Sequence, residues 1–180
     1  LSPGHFAERH ALVIIIALGE SIVAIGLSAT GTLDTGAITA ALLGLAVAGA
    51  LWWAYFDVVA IVAERRLRET PGDAQLRMAR DSYSYLHLPL VAGIILFAVG
   101  VKKTLEHVGD PLETVPAVAL CGGVALYFVA HILFRLRNVR TLNTQRLVVI
   151  VLLLALVPVA VEIPALATLG QRLRLLFLHH

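Results

Sequence analysis

The sequence predicts an all-α protein, a multi-span transmembrane helical bundle with five spans plus a C-terminal partial or interfacial helix. Three observations predict it. Of the 180 residues, 59% are hydrophobic and only 14% charged, with a mean hydropathy of +0.87. A water-soluble domain carries about 25% charged and about 45–50% apolar residues. The apolar residues fall in runs close to the length of about 20 residues that crosses a hydrocarbon core. The arginines cluster between alternate runs, as membrane topology requires. No stretch alternates polar and apolar at period two in the manner of a barrel strand.

The first span is expected from about His5 to Ala29; its apolar stretch, Ala11 to Leu27, is interrupted by Glu20. Gly31, Asp34 and Gly36 supply a turn. The second span runs from about Ala37 to Ala63, with Trp52, Trp53, Tyr55 and Asp57 near its end. A charged loop then covers Glu64 to Arg80, broken at Thr70-Pro71-Gly72-Asp73. The third span is placed at about Tyr83 to Val101, and Gly109-Asp110-Pro111 turns the chain. The fourth occupies about Val115 to Phe134, followed by the basic segment Arg135 to Arg146. The fifth, about Leu147 to Val161, is short and contains Pro158. Ile163 to His180 sets Arg172 and Arg174 among leucines, a pattern that suits either a truncated sixth span or an interfacial amphipathic helix. Residues 1–180 thus read as one transmembrane helical domain. The chain opens on Leu1 at a helix entry, so we expect it to be a fragment of a longer membrane protein.

Orientation follows from counting basic residues. Arg9, the five arginines Arg65, Arg66, Arg68, Arg77 and Arg80, and the four arginines Arg135, Arg137, Arg140 and Arg146 all fall on one side if five spans alternate. The other side holds Lys102 and Lys103 beside Glu106, Asp110 and Glu113. Ten against two puts loops 64–82 and 135–146 in the cytoplasm of a multi-pass cell-membrane protein. A net charge of +2 with this distribution fits membrane topology and gives no nucleic-acid surface.

Ionisable groups inside a span cost about 2.5–3.5 kcal/mol each on insertion scales, so they face protein or water and mark function by default. Glu20 lies eleven residues past Arg9, about 16 Å deeper at about 1.5 Å per residue, near the bilayer midplane. Eleven residues is about three turns, so Arg9 and Glu20 share a face, with His5 close to it. Gly19 and Gly26 would let neighbours approach. Asp57, His87 and His131 fall in the inner parts of their spans. Tyr83 lies four residues before His87, and Tyr127 four before His131. We therefore expect a buried polar cluster of Arg9, Asp57, His87 and His131 with Tyr83 and Tyr127 nearby and Glu20 above it. Each residue also has a structural reading. Arg9 with Asp57 could be a clamp between helices, the histidines satisfied hydrogen-bonding groups, and the aromatics an interfacial belt. Gly93 and Gly100 on one face, and Gly122-Gly123 in the next span, read as close packing.

Other chemistry is largely excluded. There is no phosphate-binding glycine loop, no zinc-protease motif and no nucleophile elbow. Cys121 is the single cysteine, which removes disulfide frameworks and cysteine metal sites. No metal site, cofactor or catalytic residue is expected.

The stretch His5-Phe6-Ala7-Glu8-Arg9-His10-Ala11-Leu12-Val13-Ile14-Ile15-Ile16-Ala17-Leu18-Gly19-Glu20-Ser21-Ile22 resembles the signature of the bacterial low temperature requirement protein A (LtrA) family. Trp52-Trp53-Ala54-Tyr55-Phe56-Asp57 resembles its following aromatic-acidic segment, and Tyr83-Ser84-Tyr85-Leu86-His87-Leu88-Pro89-Leu90 the next. These cover about the first hundred residues, with the remainder fitting the family's hydropathy. The resemblance implies the C-terminal half of a bacterial inner-membrane protein roughly twice this length, with the N-terminal half as a partner. Two departures stand out: the phenylalanine-rich segment of that half is not present, and Arg172 and Arg174 interrupt a final span that the family keeps apolar. The family name denotes a phenotype rather than a reaction, so no catalytic role carries over. Its motif includes Glu8, Arg9, Glu20, Asp57 and His87, chosen above or adjoining those chosen on physical grounds.

The leading expectation is a transporter-like or channel-like protein in the lipid bilayer, moving an ion, proton or small molecule. Glu20 would be the midplane site, and Arg9, Asp57, His87 and His131 an inner network supported by His5, Glu8, Tyr83 and Tyr127. The alternatives are a membrane-embedded enzyme acting on a lipid, or a structural or sensory membrane protein. The first alternative lacks an activated nucleophile.

Overall fold

The computed structural model describes residues 2–28, 35–106, 113–140, 144, 146–155 and 157–158. They form helices α1 (Pro3–Ser28), α2 (Thr35–Ala54), α3 (Ile61–Glu69), α4 (Gly72–Met78), α5 (Leu86–Glu106), α6 (Thr114–Val139) and α7 (Arg146–Ala155). Two π-helical segments, Tyr55–Ala60 and Ala79–Tyr85, join α2 to α3 and α4 to α5 without a break. Among the described residues there is no strand.

Among the described residues, four helical runs are long and apolar enough to cross a membrane: 3–28, 35–69, 72–106 and 114–139. This confirms an all-α multi-span bundle. The fifth span expected at Leu147 to Val161 opens as the described helix Arg146–Ala155, and its residues 156 and 159–161 lie outside the described residues. The expected tail helix, 163–180, lies outside the described residues.

The loop expected at 64–82 is corrected. The second and third runs each extend for 35 residues and are separated only by Thr70 and Pro71. At about 1.5 Å per residue each run measures about 52 Å, against a hydrocarbon core of about 30 Å. The charged ends must therefore stand outside the lipid. Ion pairs one turn apart support α3: Arg68 donates to Glu64 at 2.5 Å and Arg65 to Glu69 at 2.8 Å. Pro71 stops the run, and Gly72, at φ +61°, takes the left-handed conformation the reversal requires. Asp81 binds Arg80 at 2.9 Å and Arg137 at 3.3 Å, tying this hairpin to the end of α6. The start of α1 joins them, with Gly4 beside the Glu64 carboxylate. Arginine-bearing segments thus gather at one end of the bundle.

The tightest pair is α5 with α6. A Cβ on Gly93 would stand 2.7 Å from the Gly123 carbonyl oxygen, and one on Gly100 2.6 Å from the Leu120 backbone. The two helices meet backbone to backbone, as their spacing predicts, because dispersion rather than water exclusion drives association in lipid. Gly122 faces away from this contact, while Gly19 and Gly26 adjoin open space and mediate no close approach among the described residues. Around this pair, α1 and α2 complete a core containing Ile14, Leu18, Leu51, Leu90, Ile94, Phe97 and Phe134. Tyr127 on α6 donates to the Leu51 carbonyl at 2.8 Å, fixing α6 against α2.

Candidate functional site

The site begins with a helix irregularity. Pro89 has no N–H, and its ring crowds the carbonyl four residues earlier, that of Tyr85. Tyr85 is the last residue of the Ala79–Tyr85 π segment, so the widened turn sits where proline disturbs the helix. In this turn the Leu86 N–H reaches back to the Asp81 carbonyl. The Ser82 carbonyl accepts from the His87 ring, Nδ1 lying at 3.2 Å. A π turn holds more than four residues, so side chains four apart lie nearly over one another. Tyr83 and His87 accordingly stack, 5.4 Å between ring centres and 9° from parallel.

The Tyr55–Ala60 π segment supplies the partner. Tyr55 Oη lies 2.8 Å from His87 Nε2, with both side chains buried. With Nδ1–H donating to a carbonyl, Nε2 is free to accept, and Tyr55 O–H donates to it. The arrangement suits a neutral imidazole. Adding a proton at Nε2 requires the tyrosine hydroxyl to turn and accept.

His10 from α1 and Phe134 from α6 enclose the pair. The His10 and His87 ring centres are 5.0 Å apart, and Phe134 lies 5.5 Å from His87. His10 Nδ1 donates to the Phe6 carbonyl at 2.8 Å. Ser82 Oγ donates to Asn138 Oδ1 at 2.8 Å, and Asn138 Nδ2 to the Phe134 carbonyl at 2.7 Å. Tyr83 is also buried, yet its hydroxyl has no hydrogen-bond partner among the described residues. It lines a cavity of about 300 Å³ together with Gly4, Ala7, Glu8, Ala11, Tyr55, Ala60 and Glu64.

A second polar group lies around His131, which is fully buried. Arg146 donates to its Nε2, so the ring proton sits on Nδ1, which has no partner among the described residues. Asp57 and Arg135 act electrostatically on the same guanidinium, and Tyr127 lies 6.0 Å from His131 between ring centres.

The single cluster expected of Arg9, Asp57, His87 and His131 is therefore not what the fold builds. His87 meets Tyr83 and Tyr55, whereas His131 meets Arg146 and Tyr127. Arg9, Glu20 and Asp57 are exposed. On α1 the inward positions are Ala7, Ile14, Leu18, Ser21 and Ile25, and the face shared by Arg9 and Glu20 points away from them. His5 and Glu8 are exposed and pair with each other at 3.6 Å. Trp52 and Trp53 are exposed, as an interfacial belt requires. Among the described residues no group of three or more histidine, cysteine, aspartate or glutamate side chains could hold a metal ion. The sequence reading missed His10 and Tyr55. The available signals were Phe6, four residues before His10, and Leu51, a core residue four before Tyr55.

Comparison with known proteins places these residues in a family. The model of the bacterial low temperature requirement A protein (LtrA) matches residues 1–178. The chain is 36% identical over 106 residues to an uncharacterized protein, RA0937, of Rhizobium meliloti (strain 1021); the match covers 57% of this chain and 25% of that protein. The matched stretch thus spans a quarter of the relative's length. No solved structure matches.

Proposed function

The chain belongs to the bacterial low temperature requirement A family of membrane proteins, and from that premise we propose that it forms part of a cation- or proton-coupled transporter of the cell membrane. The carrying observation is the buried Tyr55–His87 pair, 2.8 Å apart, set between two π-helical segments with His10 beside it. π turns recur at functional sites because they interrupt the regular ladder and free carbonyls. A buried imidazole whose two nitrogens are differently engaged can take up a proton only by rearranging a neighbour, which is the element a coupled carrier needs. Glu20 is the proposed midplane ion site, on the outward face of α1 where an aqueous path or further helices would meet it. Arg9 shares that face. Asp57 and His131, linked through Arg146, form a second proposed relay on the other flank, supported by Tyr127. Glu8 and Tyr83 line the cavity beside the Tyr55–His87 pair, and His5 pairs with Glu8. The arginine-rich end is proposed to face the cytoplasm.

The test is flux. The full-length protein in liposomes, with an imposed pH gradient and an internal pH dye, should carry protons or cations faster than empty vesicles. Glu20→Gln and His87→Gln should each slow it by about tenfold or more, the scale of losing a general acid-base group being about 10²–10⁴. Equal flux in parent and both variants, or none in the parent across the common monovalent cations, sinks the reading.

A further inference from the structure

We propose that the apolar cavity bounded by α2, α5, α6 and α7 holds one acyl chain of an anionic phospholipid, whose phosphate lies at Arg135 and Arg146. The proposal does not rest on the transport reading: a lipid can bind here whether or not the protein moves anything.

The cavity follows from how the helices pack. α5 and α6 touch backbone to backbone, so no cleft opens between them. Beside that pair a space of about 520 Å³ is left between α2 and α7, within the range of about 300–1,000 Å³ for small-molecule sites. Phe97, Val101 and Thr104 of α5 form part of its wall. Thr104 donates its hydroxyl to the Gly100 carbonyl at 2.9 Å, so it presents no open donor. Apolar cavities stay dry, and in a bilayer the alternative to water is hydrocarbon. The dimensions suit one chain. Along α2 the lining runs from Ala40 to Leu51, about 16 Å at about 1.5 Å per residue. Half of a hydrocarbon core of about 30 Å is nearly the same length. The exposed Trp52 and Trp53 follow directly after Leu51, where the core gives way to the interface.

At that level the same helix faces turn ionic. Residues seven apart lie two turns along one face. From Phe128 of the α6 wall the next such position is Arg135, and from Val124 it is His131. From Ala50 of the α2 wall it is Asp57. On α7, Leu153, Val149 and Arg146 follow at spacings of four and three, again one face. Three walls of the cavity therefore end in ionisable groups, and these groups meet. Arg146 donates to the buried His131, while Arg135 and Asp57 both act electrostatically on Arg146. Two guanidiniums brought together repel each other, and a phosphate between them replaces that repulsion with attraction. A guanidinium has five N–H donors in a planar fork, so the bond to His131 leaves Arg146 others to offer a phosphate. Asp57 opposes a second negative charge, which favours a singly charged head group. A zwitterionic lipid would bring its own ammonium toward two arginines. A free phosphate would leave the apolar length empty. Basic pockets between membrane helices bind anionic head groups for these reasons.

The experiment presents the full chain, in a non-ionic detergent, with equimolar phosphatidylglycerol and phosphatidylcholine of identical acyl chains, read by native mass spectrometry. One phosphatidylglycerol per chain should be retained, favoured at least about tenfold over phosphatidylcholine, the scale of one charge-assisted hydrogen bond. Arg135→Gln should remove that preference, and Arg135→Lys, which keeps the charge, should retain most of it. Val149→Trp, which fills the cavity, should cause loss of both lipids. Glycerol 3-phosphate, a head group without a tail, should not compete. Should Arg135→Gln not fold, the parent's ratio and Val149→Trp decide. Equal retention of the two lipids, a parent-like ratio in Arg135→Gln, parent-like retention in Val149→Trp or competition by glycerol 3-phosphate each overturns the proposal. So does a chain that keeps no lipid, the result expected if another part of a longer polypeptide or a second copy fills the cavity.

Discussion

Tyr55 and His87, 32 positions apart in sequence, meet at 2.8 Å through Oη and Nε2, and that bond joins the second membrane helix to the third. One residue lies in a π-helical segment and the other just beyond the second such segment.

Removing the tyrosine hydroxyl leaves Nε2 buried without a donor. Tyr55→Phe should therefore cost about 1–3 kcal/mol of folding stability. Guanidine- or heat-induced unfolding in detergent, with tertiary fluorescence as readout, measures it. A change below about 0.5 kcal/mol, the size of an ordinary surface substitution, would mean that the pair is not bonded in solution.

Close packing of the α5–α6 pair gives a second expectation. In Gly123→Ala the new methyl would stand 2.6 Å from the Phe97 backbone nitrogen, and neither helix backbone can yield without moving the other. Overpacking of this kind costs about 1–3 kcal/mol. Gly49→Ala meets nothing within 4 Å among the described residues and should be neutral or slightly stabilising. Comparing the two thermal midpoints checks the claim; equal midpoints would refute it.

A third expectation concerns acid. Asp81 lies on the charged turn ahead of the apolar stretch of its helix. The hydrogen bond from Arg80, reinforced by Arg137, holds its carboxyl below the ordinary aspartate value. A depressed carboxyl contributes stability that is present above the unfolded-state value, near pH 3.9, and is lost as pH falls through the lower folded one. Asp81→Asn should flatten the acid limb of stability against pH without shifting the neutral plateau much, because the pair is partly exposed. An unchanged acid limb in the variant would remove Asp81 from the account.

Much of the architecture was legible in the sequence because a membrane helix announces itself by length and apolarity. The charge-rich stretch Glu64 to Arg80 was misread as loop. Its one-turn ion pairs and single proline break were the signs of a helical hairpin, but charge density masked them. The Arg9–Glu20 face was found correctly, whereas its direction was not. In lipid, the side of a helix facing its neighbours is about as apolar as the side facing acyl chains, so periodicity cannot say which way a polar stripe points. His87 and Tyr83 were found as a pair four apart. That Tyr55 would join them depended on a π segment with no proline to signal it, unlike the segment ahead of Pro89.

Where backbones touch at Gly93, Gly100 and Gly123, no flexible side chain is present to absorb a displacement. The α5–α6 pair is consequently the stiffest seam among the described helices. α1 and α2 rest on α5 through side chains, which can give where touching backbones cannot, and His10, Tyr55 and His87 converge at that softer seam.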